Sequence, residues 1–460
     1  MDLRSFVATL RENAHATNER RLLALTGDRE AGIDAAHTAV EAAGVDDEAV
    51  SLVTTREGFR YHRLHPDHAD ELLGTTREIV IFDCHEGFSA NALGQVTGAV
   101  DGGGLLVLVL PPLEEIPTQL SALVDQVAVP PFSRDDVGTH FRQRLVTTLR
   151  HHPGVAILRL PPSTAAPNDE HKEIEIERDG LSNRSQSTPP SDPHSYTDTP
   201  FSDAAYEACR TGDQARAVAG LSALSNSGNA VVVEADRGRG KSSAAGLAAA
   251  ALAADGNDVL VTAPNFDNAA ELFERAAELL ATLDHPAAGE STSDEADTVD
   301  PPLATTAGGR IRFRPPPDAA DLPSDPDVVI VDEAAALPVR LLERLLDAPA
   351  VGFCTTVHGY EGSGRGFAVR FRERLAASSY DVSDIELREP IRYGQDDPVE
   401  AWLAWTLLLD AEPPADQLVA DATPETVSYR TLTTDDITDD ESLFRSVVGL
   451  LVAAHYKTEP

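Results

Sequence analysis

The stretch Asn229–Ala250, NAVVVEADRGRGKSSAAGLAAA, decides how the rest of the chain is read. Val231, Val232 and Val233 form a β-branched run that stops at a turn rich in Gly and Arg, Ala235 to Gly240. Lys241 and Ser242 follow, and then a run of alanines, the residue with the best helix propensity. Strand, glycine turn, Lys-Ser and helix make up the order of a phosphate-binding loop. Gly238 and Gly240 let the backbone curl so that successive N–H groups face a triphosphate. The helix N-terminus adds about half a positive charge. Lys241 is placed to reach the β- and γ-phosphates, and the Ser242 hydroxyl to ligate Mg2+. Ala235 stands where the usual pattern has its first glycine.

Composition sharpens that reading. The chain has 37 Lys plus Arg, of which only Lys172, Lys241 and Lys457 are lysines. Where Arg has displaced Lys almost everywhere, a lysine kept inside a glycine loop points to a need for a compact ammonium. The 460 residues carry 76 acidic side chains and a formal net charge of −39, yet 42% are hydrophobic, so the chain is globular and long enough for two to four domains. Excess acid with almost no lysine is the signature of a protein working in high salt, where self-repulsion is screened within a few Å. That acidity removes the basic patch by which a nucleic-acid partner is usually read, without excluding one. Cys84, Cys209 and Cys354 are far apart and form neither a disulfide framework nor a zinc pattern. The N-terminus has no apolar core of signal-peptide length, and no apolar run is long enough for a membrane, so a cytoplasmic location is expected.

Along residues 1–160 helical and strand patterns alternate, which implies an α/β fold with a parallel sheet covered on both faces. Helices are expected at Phe6–Arg20, Ala31–Ala43 and Ala90–Val100, the last closed by Gly102, Gly103 and Gly104. Arg21–Leu25, Ser51–Thr54, Glu78–Phe82 and Leu105–Leu110 read as strands. Asp83, Cys84 and His85 sit at a strand's C-terminal end, where open α/β sheets place ligands, although plain loop starts look the same. His62, His65 and His68 read as part of a polar loop. Residues 161–202 are poor in apolar side chains and read as an acidic Ser/Pro-rich linker, and 285–302 as a surface insertion.

Residues 203–394 read as a P-loop domain. Gln214, about a helix's length ahead of the loop, has the side chain that pairs bidentately with adenine N6 and N7. Val259–Thr262 and Val328–Val331 are further strands, and the second runs into Asp332 and Glu333. An apolar strand ending in Asp-Glu suits a site where Asp332 holds Mg2+ and Glu333 orients or deprotonates the attacking water. Val351–Cys354 starts a fourth strand, and Thr355-Thr356 after it suits a γ-phosphate sensor. A glycine-rich loop follows with His358, Tyr360 and Arg365, a nucleotide- or RNA-facing composition. Arg392, after the last strand, is a candidate arginine finger supplied in cis. Trp402 and Trp405, on a helix at Pro398–Leu409, read as core packing.

Taken together, ADRGRGKSSAAG (Ala235–Gly246), VDEAAALP (Val331–Pro338), TTVHGYEGSGRGF (Thr355–Phe367), EPIRY (Glu389–Tyr393) and GLLVAAHYKTEP (Gly449–Pro460) resemble the tRNA(Met) cytidine acetyltransferase family. The resemblance implies an N-terminal α/β domain, a RecA-like helicase module with ATPase activity at 203–394, and the beginning of a GNAT acetyltransferase domain at 395–460. It implies N4-acetylcytidine formation at the wobble position of elongator tRNA(Met), from acetyl-CoA with ATP or GTP hydrolysis, in a halophilic archaeon. By motif match it places nucleotide contacts at Gln214, at Gly238, Arg239, Gly240, Lys241, Ser242, Ser243, Ala244 and Ala245, and at Arg392, with Arg365 a further candidate. The family's acetyl-CoA turn, of the type [QR]xxGx[GA], has no counterpart after Tyr393, so the acetyl-CoA site is expected to be absent from this chain. Two rival readings are a nucleic-acid helicase or translocase and a non-catalytic nucleotide-binding scaffold. Translocating helicases use two RecA-like domains, whereas one phosphate loop is visible here.

Overall fold

The computed structural model describes residues 2–58, 60–72, 75–119, 124, 128, 130–161, 174–181, 191–192, 200–284, 303–356, 371–411 and 422–454. They fall into two compact units, chiefly Met1–Pro189 with Arg392–Leu450, and Pro190–Ile391.

In the first unit helix α1 (Leu3–Thr17) begins where the Asp2 side chain accepts from Ser5 N at 2.7 Å and ends where Asn18 turns left-handed at φ 49°. Asn tolerates that conformation, so the helix stops before the expected Arg20. The unit continues through β1 (Arg21–Thr26), α2 (Arg29–Ala43), β2 (Val50–Val53), β3 (His62–Leu64), β4 (Arg77–Asp83), α3 (Ala90–Ala99), β5 (Val100–Leu110), α4 (His140–His151), β6 (Val155–Arg159) and β7 (Glu175–Asp179). The sheet order is β3-β2-β4-β5-β1-β6-β7, parallel except for β7. Its central strands are apolar on both faces because helices cover both.

Three local expectations change. Gly102, Gly103 and Gly104 do not close a helix; they lie within β5, where a side chain on Gly102 would collide with Asn18 Oδ1 and Arg392 O. Gly102 N donates to Arg392 O at 2.9 Å and Gly103 N to Glu19 O at 3.0 Å, so the glycines permit close backbone approach. The His62 stretch includes an edge strand, pairing Ser51 with His62. Within the expected linker, Glu175–Asp179 is the opposite edge, pairing with β6. Its Glu177 bridges Arg150 and Arg159, and such a charged edge has no apolar alternation to reveal it.

Residues Arg392–Leu450 cluster with this first unit. Arg20 and Asp397 form a fully buried ion pair, Arg20 Nη2 to Asp397 Oδ1 at 3.0 Å, while Arg20 N donates to Oδ2 at 2.7 Å. The guanidinium lies 3.7 Å from the centre of the Tyr393 ring. Burial disfavours its charge, and Asp397 more than offsets that, raising its pKa. Helix α8 (Pro398–Leu407) buries Trp402 completely, as core packing requires.

The second unit contains α5 (Gly212–Leu221), β8 (Asn229–Ala235), α6 (Lys241–Ala254), β9 (Asp258–Thr262), α7 (Phe266–Thr282), β10 (Leu303–Ala304), β11 (Arg310–Phe313), β12 (Val328–Val331), β13 (Val351–Thr356) and β14 (Asp381–Leu387). Its order is β10-β11-β9-β12-β13-β8-β14, parallel apart from the β10–β11 pair. Strand β13 therefore separates the strand that precedes the glycine loop from the one that ends at Asp332. Helix α6 is buried on all sides, and a side chain on Gly246 would strike the backbone oxygen of Leu272 in α7. No helix among the described residues is long and apolar enough to cross a membrane.

Asp83, wholly buried at the end of β4, accepts from Arg29 Nε at 2.8 Å, Thr54 Oγ1 at 2.8 Å and His85 N at 3.2 Å. Burial pushes its carboxyl up, but the His85, Arg29 and Thr54 bonds prevail and hold it at about 2. A carboxyl depressed in the fold stabilises it above the ordinary aspartate value, and the gain is lost as pH falls through about 2. Asp83→Asn should cost about 2 kcal/mol in urea unfolding at neutral pH, with the gap to the parent protein narrowing on acidification. A pH-independent gap would contradict this account.

Candidate nucleotide site

The β8 strand delivers the chain to the loop with Ala235 buried in the core. Gly238 and Gly240 both take positive φ, 77° and 81°. That region costs other residues about 1–2 kcal/mol, so the two glycines fit the curl. Gly240 is the N-cap of α6, and Ala244 N donates to Gly240 O at 2.9 Å. The side chains of Ala244 and Ala245 point into the core, and Ser243 is buried; Ser242 is half-buried.

Lys241 is 7% exposed, and its Nζ donates to Glu333 Oε1 at 2.6 Å. Glu333 Oε2 accepts from Thr356 Oγ1 at 3.1 Å. Burial alone would lower the ammonium's pKa, but Glu333 and Asp332 raise it above the lysine value. Burial likewise pushes Glu333 up, and Lys241, Thr356 and Arg237 together bring it below the usual carboxylate value. Glu333 reaches this position from a left-handed backbone, φ 47° and ψ 46°, strain that is characteristic of functional sites. Asp332 is fully buried; its Oδ1 accepts from Glu333 N at 3.0 Å, and its Oδ2 has no hydrogen-bond partner. Burial drives the Asp332 carboxyl up to about 6, against Lys241 and the Ser242 hydroxyl, which favour its charged form. A buried carboxylate oxygen without a partner, beside a serine hydroxyl, is the donor set a magnesium ion takes when phosphates and water complete its shell.

Gln214 lies against the same loop, 1% exposed. Its Oε1 accepts from Arg210 N at 2.7 Å and its Nε2 donates to Gly240 O at 3.3 Å, so its amide is turned to backbone. Arg239 is buried, with Nη1 donating to Arg237 O at 3.4 Å. Arg392 belongs to the first unit, where its Nη1 donates to Thr75 O at 3.2 Å. The neighbouring Ile391 is the residue of that motif that meets the loop: Ile391 N donates to Gly238 O at 3.0 Å. Sequence reasoning missed this contact because a backbone hydrogen bond leaves no trace in side-chain identity. It also missed the Gln214 bond to Gly240; a glutamine three residues after the helix-capping Thr211 was the available signal. Arg365, with His358 and Tyr360, lies outside the described residues.

With this geometry in hand, residues 1–160 match the profile of the tRNA(Met) cytidine acetyltransferase TmcA N-terminal domain. Residues 232–410 match the helicase domain of RNA cytidine acetyltransferase NAT10/TcmA. The chain belongs to the TmcA family. Among curated relatives, the tRNA(Met) cytidine acetyltransferase of Haloferax volcanii is 56% identical over 461 residues, taking in all of this chain and 59% of the relative. That of Haloarcula marismortui is 50% identical over 98% of this chain and 56% of the relative, and that of Pyrococcus abyssi 33% over 87% and 47%. The chain thus spans rather more than half the length of its nearer relatives. The helicase-domain match takes in the glycine loop, Asp332 and Glu333.

Gly240→Ala places a methyl group against Gln214 Nε2 in a left-handed backbone. The variant should lose about 1–2 kcal/mol of stability and most of its nucleotide affinity, read by calorimetric titration with ADP. Unchanged ADP binding would show that the loop does not need this bend.

Proposed function

We propose that the second unit binds and hydrolyses ATP or GTP with Mg2+, as the motor part of a cytidine acetyltransferase acting on elongator tRNA(Met). The observation that carries the reading is the chain from buried Lys241 through half-buried Glu333 to Thr356, beside the partnerless Asp332 oxygen. Lys241 exchanges Glu333 for the β- and γ-phosphates of the nucleotide. The N–H groups of the loop and of the first turn of α6 accompany it, from Gly238 to Ser243. Asp332 and the Ser242 hydroxyl would hold a magnesium ion, whose charge would neutralise phosphate oxygens. Glu333, released by Lys241 and still held by Thr356, accepts a hydrogen bond from the attacking water. The water oxygen bonds to the γ-phosphorus, the bond to the β–γ bridging oxygen breaks, and the diphosphate leaves with the electron pair. To read adenine N6 and N7, Gln214 must first release Arg210 N and Gly240 O, which links base recognition to the loop's conformation. Arg392 and Arg365 remain candidate fingers on motif grounds.

Acetyl transfer from acetyl-CoA to the tRNA cytidine is proposed for the full-length protein, on the strength of the relatives' names. Neither family profile matched here covers an acetyltransferase domain. A cytoplasmic location is proposed with the tRNA substrate.

Phosphate release from ATP by the purified chain in molar KCl tests the reading. Lys241→Ala and Glu333→Gln should each reduce turnover by roughly 100-fold or more. Glu333→Gln should keep triphosphate binding, because it removes the lysine's competing anion. Undiminished release from Lys241→Ala would leave the scaffold reading standing. Nucleic-acid unwinding by this chain alone would favour the helicase reading.

A further inference from the structure

The Glu333 carboxylate marks where an anion sits. Lys241 Nζ and Thr356 Oγ1 donate to its two oxygens, at 2.6 Å and 3.1 Å, and the charge of Arg237 acts on it as well. Arg237 belongs to the glycine loop itself, two residues after buried Ala235 and immediately before left-handed Gly238. It is half-buried, and its guanidinium has no hydrogen-bond or ion-pair partner among the described residues. Most arginines cited above are held by a carboxylate or a carbonyl, as expected where 76 acids face 37 bases. An arginine left without a partner in such a chain, within the field of the one carboxylate that a phosphate would displace, is a cation in reserve. Arg239, two residues on, is no substitute, since it is buried and bonded to the loop's own backbone.

We propose that Arg237 binds the γ-phosphate of the bound nucleoside triphosphate and stabilises the charge that builds up as the phosphoryl group is transferred to water. The loop thereby supplies its own arginine, a role sequence reasoning assigned to Arg392 or Arg365. The proposal rests on the ATPase reading above. Arg237 donates hydrogen bonds and exchanges no proton, because a guanidinium stays protonated throughout. Lys241 reaches the β-phosphate of a diphosphate and a triphosphate alike, whereas Arg237 meets the γ-phosphate alone. As a forked, planar donor it can hold two γ-oxygens at once, which an ammonium cannot.

The test compares the parent chain, Arg237→Ala and Arg237→Lys in molar KCl with Mg2+. ADP and a non-hydrolysable ATP analogue are titrated by calorimetry, and phosphate release is measured from ATP. Arg237→Ala should bind ADP within about twofold of the parent, bind the analogue about tenfold more weakly, and turn over roughly 100- to 1,000-fold more slowly. Arg237→Lys should recover part of the affinity and little of the turnover. Parent-like turnover in Arg237→Ala overturns the proposal, as does an equal loss of ADP and analogue binding, which would mean that Arg237 shapes the loop. If the parent itself releases no phosphate, the hydrolysis reading fails. The ADP-versus-analogue comparison still decides whether Arg237 meets the γ-phosphate.

Discussion

An ammonium group sealed from water has to find a counter-charge nearby, and this requirement organises the second unit. Lys241 has almost no contact with solvent, and an unpaired charge there would cost several kcal/mol. Glu333 meets the need, and to do so its backbone enters a conformation that side chains other than glycine's avoid. The ion pair thus binds the loop after β8 to the end of β12 across the intervening strand β13, whose Thr356 closes the chain of contacts. A phosphate that took the place of the Glu333 carboxylate would leave Lys241 with a counter-charge throughout.

The same logic runs through the first unit, with a different emphasis. Exposed ion pairs are worth little in water and less in concentrated salt, where charges are screened within a few Å. Arg20 with Asp397, and Arg29 with Asp83, are sheltered from that screening. They fix where the chain beyond Arg392 settles and how the ends of β2 and β4 are held together. In a molecule with a net charge of −39, these sheltered pairs can act as locators while the surface carboxylates stay hydrated.

What could be read from the sequence follows from which forces leave a local pattern. Buried strands such as Leu105–Leu110 and Val328–Val331 are apolar runs, so their place was plain. Lys241, Ser242, Asp332 and Glu333 are fixed by chemistry that tolerates few residue types, and the structure brings them together. The glycines of β5 misled because glycine permits a close approach as readily as it ends a helix, and only the neighbour, here Asn18, distinguishes the two. Strand β7 was hidden because an edge is free to be polar. Gln214 has the right amide for a base, but its two ends are taken by Arg210 N and Gly240 O, a competition no spacing rule records. Arg237 went unremarked because an arginine beside glycines reads as ordinary loop composition until its lack of a partner is seen.

Helix α6, almost all alanine, packs closely on every side, and at Gly246 even a methyl group would meet the backbone of α7. Such a rod has no side-chain slack with which to slide or roll. Whatever displacement accompanies nucleotide exchange must therefore be absorbed at the strand tips, where Glu333 carries its twist and Ile391 clips the loop. The centre of the domain behaves as an anvil, and the working travel belongs to its rim.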